Sequence, residues 1–302
     1  MNARTSLVAL ALLLVSTASC RQKDEPTQKP PLASDAGVSL APLVAPASAL
    51  MPVPGFANAV LVSPVGATRP MPLVVAVLGI GDTPESQCAT WRELVGQRAF
   101  VVCPRFTPHM VPVQPAEPAG GAPSLLSIFG LQGDEAAEAD PNAGEVVQSG
   151  FRPTELPAVE REVDAAIDAA RRVFPKYIAA GPVLYAGFSR GAFLGASLVA
   201  KSPTKFPRAI LIEGGQSAWT DATAAAFTKN GGKRVLFACG QPSCVAEAEP
   251  AAQMLTRASG TTRIVHGEGE GHGYKKQVKD QIRLSLDWVV EGDPAWKQLL
   301  AR

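Results

Sequence analysis

The chain has 302 residues, 46% of them hydrophobic, which is enough for one large α/β domain or two small ones. Its formal net charge is +1 with no dense Lys/Arg run, and this argues against a nucleic-acid partner, because such binding rests on clustered positive charge. Gly and Pro number 27 each, so long irregular stretches are expected beside the regular ones.

Residues 1–20 read as a targeting segment. Arg4 supplies a positive start, and Leu7 to Val15 is an apolar run too short to span a bilayer but suited to the core of a signal peptide. Ser16-Thr17-Ala18-Ser19 and Cys20 follow. Small residues directly before a Cys resemble the bacterial lipobox, whose Cys is acylated. The resemblance implies lipidation of Cys20, export, and a membrane anchor in a bacterial cell envelope. Thr17 stands where that motif usually has Leu, and ordinary cleavage near Ala18 is the alternative. Residues 21–54 are rich in Pro, Ala and Ser without a clear period, the composition of a disordered tether.

The folded domain is expected over 55–302. Ala57 to Val65 reads as a strand, and Leu73 to Leu78 as a strand buried on both faces. Phe100 to Cys103 is a third. Residues 104–157 form an irregular insert loaded with Pro, Gly and Ala, a candidate lid with Trp219 on the rim it would cover. A helix is expected over Glu160 to Phe174. Thereafter strands at Pro182–Ala186, Arg208–Ile212, Arg234–Ala238 and Thr262–His266 alternate with helices at Arg190–Ala200, Thr220–Lys229, Val245–Ser259 and Lys276–Val290. That alternation predicts an α/β fold with a mostly parallel sheet and helices on both faces.

Apart from Cys20, four cysteines remain, an even number that suits two disulfides in an exported protein. Neighbours in sequence give the simplest pairing, Cys88–Cys103 and Cys239–Cys244. A zinc site is the alternative, but no C-x-x-C pair exists.

Gly187-Phe188-Ser189-Arg190-Gly191 is a G-x-S-x-G between the strand PVLYA and the helix that follows. A Ser there either caps the helix or is a nucleophile held on a tight turn. Of three His, His109 lies in the insert, His266 ends the last strand, and His272 stands in Gly269-Glu270-Gly271-His272-Gly273-Tyr274. His266, Glu268, Glu270 and His272 alternate along one segment, but the H-E-x-x-H spacing of a helical metal site is absent.

Over residues 55 to 292 the chain resembles the α/β-hydrolase family, in particular its serine esterases and dienelactone hydrolases. The elbow, the loop Gly79-Ile80-Gly81-Asp82 and the late His loop carry the resemblance. It implies Ser189 as nucleophile, His272 as base, and an oxyanion hole from the N–H groups of Ile80 and Arg190. It implies no cofactor and a small-molecule or acyl substrate. Two departures stand out. Leu78 occupies the place of a frequent His, and Ser243 the place where the acid is expected. Glu213, at the end of the preceding strand, becomes the candidate acid, with Glu268 and Glu270 as rivals. A serine hydrolase is the first reading. A non-catalytic binding protein with a degraded triad, or a peptidase, are the alternatives.

Overall fold

The computed structural model describes residues 39–105 and 155–300. Cys20, His109 and all but the ends of the 104–157 insert lie outside the described residues, as does the signal segment.

Eight strands form one sheet. They are β1 (Ser48–Met51), β2 (Ala59–Val62), β3 (Leu73–Val77), β4 (Phe100–Cys103), β5 (Leu184–Phe188), β6 (Arg208–Ile212), β7 (Arg234–Cys239) and β8 (Thr261–His266), in the order β1-β2-β4-β3-β5-β6-β7-β8. From β4 to β8 every pairing is parallel, whereas β1 and β2 add an antiparallel edge. The helices are α1 (Pro84–Val95), α2 (Leu156–Val173), α3 (Arg190–Lys201), α4 (Asp221–Lys229), α5 (Pro242–Arg257), α6 (Gln277–Val290) and α7 (Pro294–Leu300).

The two faces of the sheet are buried separately. Along β3, Leu73, Val75 and Val77 join the cluster under α2, α3, α4 and α5. Val74 and Ala76 join the cluster under α1, α6 and α7. Period-two alternation with both faces covered is why this strand is apolar throughout. The connection from β3 through α1 runs to β4 on one side, and that from β5 through α3 runs to β6 on the other. The carboxyl ends of β3 and β5 therefore flank the point where strand order reverses, the place such sheets use for a site.

The strand–helix alternation agrees with the expectation from sequence, and the differences have local causes. The chain enters the sheet earlier than residue 55: β1 pairs with β2, and Leu43, Met51 and Val53 are buried. β1 is a four-residue edge strand with three exposed residues, and its apolar run, Ala49 to Met51, is only three residues long and stands between Pro46 and Pro52. Helix α1 lies outside the elements expected from the sequence, yet its signals are present. Thr83 caps it by accepting from Ser86 N at 3.2 Å, Pro84 follows at the first turn, and Cys88, Trp91, Leu94 and Val95 make its buried stripe. Helix α2 begins at Leu156, inside the expected insert. Trp219 is a correction: it is 3% exposed and packs on Phe227 at 5.4 Å, so it is a core residue and no part of a rim. Both disulfides, Cys88–Cys103 and Cys239–Cys244, are formed as paired from the sequence. Among the described residues no helix is long and apolar enough to cross a membrane.

Candidate active site

Ser189 stands between β5 and α3 with φ of 51°, a left-handed backbone that costs a non-glycine residue energy. The turn is tight because glycines flank it. A Cβ on Gly187 would collide with the Gly191 carbonyl, and one on Gly191 with the Val77 carbonyl of β3. Gly79 closes in from the other side, where an added Cβ would stand 2.8 Å from the Phe188 ring and 3.1 Å from Ser189 Cβ. The loop 79–82 and the first turn of α3 thus border the same hydroxyl. Ile80 is 60% exposed there, and Arg190, the first residue of α3, pairs through Nη2 with Glu155 Oε2 at 2.7 Å.

The turn after β6 repeats the device. Glu213 also has φ of 51°, and its N–H donates to the Ala238 carbonyl of β7 at 3.0 Å. Of the three described non-glycine residues with positive φ, two are therefore Ser189 and Glu213. Strained backbone at adjacent strand ends brings both side chains to the carboxyl edge of the sheet.

His272 joins them. Its Nε2 lies 2.8 Å from Ser189 Oγ, and its Nδ1 lies 3.2 Å from Glu213 Oε2. A carboxylate only accepts, so Nδ1 carries the proton and Nε2 is left to accept from the Ser189 hydroxyl. The Glu213 side chain is 1% exposed, and the His272 side chain 42%. The second oxygen of Glu213 accepts from Gly240 N and from Gln241 N, the latter at 3.1 Å. The turn after β7, where the acid was sought, thus supplies donors to a carboxylate on β6, and Ser243 sits exposed in the first turn of α5.

The His loop is held from both ends. Gly269 and Gly271 take φ of 73° and 71°, conformations that glycine adopts without strain. Glu270 accepts from Lys276 N at 2.6 Å and Val278 N at 2.7 Å, so it ties the loop to the start of α6 and does not reach the imidazole's place as acid. Glu268 is exposed. Tyr274 is buried, donates its hydroxyl to Gln87 Oε1, and packs on Phe188 at 5.0 Å. Phe188 also lies 5.3 Å from the His272 ring, so one side chain supports both.

Asp82, to which the sequence pattern assigns no role, lies close to the site. Burial raises its carboxyl above the usual aspartate range, partly opposed by Lys275, the Gly79 N–H and His272. Its signal in the sequence was its place in the loop after β3. Among the described residues, Glu213, Cys239 and Cys244 form the group whose ligand-type atoms lie within 4.8 Å of one another, and its two sulfurs are bonded to each other.

No protein-family model matches the sequence, and no curated protein matches it. Solved structures do. S-formylglutathione hydrolase from Staphylococcus aureus is 12% identical with a TM-score of 0.53, over 84% of this chain and 99% of that one. The Thermus thermophilus protein TT1662 is 14% identical with a TM-score of 0.52, over 81% and 98%. Dienelactone hydrolase from Anabaena variabilis is 14% identical with a TM-score of 0.50, over 80% and 95%. At such identities the likeness is one of architecture, and together with the parallel sheet and its helices it gives the chain an α/β-hydrolase fold.

Proposed function

We propose that the chain is a serine hydrolase that cleaves an ester or related acyl bond through Ser189, His272 and Glu213. The observation that carries the reading is the continuous contact from Ser189 Oγ to His272 Nε2 at 2.8 Å and from His272 Nδ1 to Glu213 at 3.2 Å. In this mechanism His272 takes the hydroxyl proton as Ser189 Oγ attacks the carbonyl carbon. Glu213 holds the imidazole in the required tautomer and stabilises its protonated form. The N–H groups of Ile80 and Arg190 receive the oxyanion, the latter from the N-terminus of α3. His272 then gives its proton to the leaving alcohol, and a water activated by the same imidazole releases the acid. Every step is made by side chains and backbone of this chain, so no cofactor is invoked. Two proteins that share the fold, an S-formylglutathione hydrolase and a dienelactone hydrolase, support acyl transfer to water as the reaction class.

We also propose that the chain is exported. Two disulfides in one domain suit an oxidising compartment, and Cys20 would anchor the domain to a bacterial envelope membrane. Metabolic labelling with a fatty acid, present in wild type and lost in Cys20→Ala, is the expected result.

The test of the activity is fluorophosphonate labelling of wild type, Ser189→Ala and His272→Ala. Labelling of the wild type alone is expected. A well-folded wild type that stays unlabelled would overturn the proposal and leave a binding protein on a hydrolase fold.

A further inference from the structure

The turn between β7 and α5 is closed by a covalent bond. Cys239 is the last residue of β7 and Cys244 lies in the first turn of α5, five positions on, with Gly240, Gln241, Pro242 and Ser243 between them. This short ring carries both N–H groups that Glu213 Oε1 accepts. The sulfurs themselves lie within 4.8 Å of the carboxylate. Gln216, on the turn that follows Glu213, donates through Nε2 to the Cys244 carbonyl at 3.4 Å and meets its Sγ at 3.1 Å. On the other side the ring abuts the His loop. A Cβ on Gly240 would run into the Gly271 carbonyl, one residue before His272, and Gly267 N donates to the Cys239 carbonyl at 2.8 Å.

We propose that the Cys239–Cys244 disulfide is a positioning element of the active site, fixing the Gly240 and Gln241 N–H groups that aim Glu213 at His272. The inference rests on the serine-hydrolase reading and assigns the disulfide a part in it. A glutamate side chain has three rotatable bonds, so burial alone does not set where its oxygens point. Two donors on Oε1 leave Oε2 facing His272 Nδ1. Glycine at 240 restrains its own backbone weakly, so the direction of those donors depends on what holds the turn. The ring does so from both ends. Cys239 is 0% exposed and Cys244 6%, so a thiol reaches the bridge slowly, through local opening of the turn.

A purely structural disulfide makes a different prediction. It stabilises the chain by constraining the unfolded state and leaves kcat alone. The two roles separate in a kcat against KM comparison at a temperature where every variant is folded. The substrate is p-nitrophenyl acetate, and the variants are Ser189→Ala, Cys239→Ala/Cys244→Ala, Cys239→Val/Cys244→Ala and Cys88→Ala/Cys103→Ala. The proposal expects kcat to fall about 10- to 100-fold in the pairs at 239 and 244, since displacing a catalytic group by an ångström has effects on the order of 100-fold. KM should stay within about threefold, and the pair at 88 and 103 should keep wild-type kcat. A folded pair at 239 and 244 with wild-type kcat overturns the proposal.

A second measurement needs no substitution at the turn. In the Cys88→Ala/Cys103→Ala background only one described disulfide remains, and dithiothreitol opens it by exchange. Each cystine takes two electrons and two protons to become two thiols, while the reagent closes to its cyclic disulfide. Activity should fall in proportion to thiols released, before far-ultraviolet circular dichroism changes. Activity that holds until the fold melts is the contrary result. If wild type and Ser189→Ala are equally inert, the hydrolase reading itself fails. If wild type is active and indifferent to the bridge, only the positioning role fails.

Discussion

Glu213 Oε2 and His272 Nδ1 meet at 3.2 Å although the two residues are 59 positions apart in the chain. The meeting is produced by the turns after β6 and β8, the two parallel strands that flank β7. β6 ends on the positive-φ Glu213, and the segment after β8 returns over the same edge with His272. Between them, β7 ends in the turn whose N–H groups hold the other carboxylate oxygen.

Replacing that carboxylate by its amide is the sharpest test of its role. In Glu213→Gln the amide oxygen still accepts from Gly240 N and Gln241 N, so the turn after β7 keeps its partner. The amide nitrogen then faces His272 Nδ1. A donor there forces the imidazole into the tautomer with Nε2 protonated, which cannot take the Ser189 proton. The expected outcome is a kcat lower by about 10³- to 10⁴-fold with KM nearly unchanged and thermal stability close to wild type. Steady-state kinetics on p-nitrophenyl acetate with a parallel melting curve reads both.

Gly191 shows how little room the elbow leaves. A Cβ there would collide with the Val77 carbonyl, a backbone atom in the middle of the sheet that cannot give way cheaply. Gly191→Ala is expected to destabilise the protein by about 1–3 kcal/mol and to lower fluorophosphonate labelling, because relief requires α3 to move away from β3. Gly181→Ala is the control. A Cβ there meets nothing within 4 Å, and its stability should lie within about 0.5 kcal/mol of wild type. Urea denaturation of the three proteins measures the difference.

The legible part of this molecule is the part written in short-range patterns. Runs such as LVVAV read as buried strands because both faces of the sheet are covered, and each glycine of the elbow has a steric reason in the turn itself. The proposed acid is harder to place. Ser243 stands where the resemblance led one to seek it, and nothing near Glu213 in sequence says that two N–H groups of another strand's turn will receive its carboxylate. That is a tertiary contact, invisible to local periodicity. β1 is hard to read because its apolar run, Ala49 to Met51, is three residues long and sits among prolines, in a stretch with the composition of a tether. Trp219 was misplaced because a large aromatic in a loop says nothing of which way it turns, and it turns inward onto Phe227.

Asp82 gives a pH dependence whose sign can be fixed. Burial raises its carboxyl above its ordinary value of 3.8, so the folded state disfavours the charged form. The folded state then binds this proton more tightly than the unfolded chain does. Stability from this residue is fully present below the unfolded value and is lost as pH rises through the folded one. Asp82→Asn removes the charge, so it should raise the melting temperature at pH 7, and the gain should vanish below pH 3.8. Melting curves of both proteins at the two pH values test it. A gain that persists in acid would mean that the substitution acts through packing and not through charge.

The two disulfides should part company when they are removed. Cys88–Cys103 bridges a separation of 15 residues and ties α1 to β4, with Cys88 1% and Cys103 0% exposed. Closing a loop of that length in the unfolded chain is worth about 3 kcal/mol, whereas the separation of 5 at Cys239–Cys244 is worth about 2 kcal/mol by the same relation. By chain entropy alone, Cys88→Ala/Cys103→Ala is the more damaging pair. It should shift the urea midpoint further, yet among the described residues no hydrogen bond joins its ring to Glu213 or His272, so the folded fraction should turn over substrate at the wild-type rate. If the pair at 239 and 244 shows the smaller loss of stability together with the larger loss of kcat, stability and catalysis are uncoupled at that bridge. Equal losses of both in the two pairs would instead mean that each disulfide acts only through the fold.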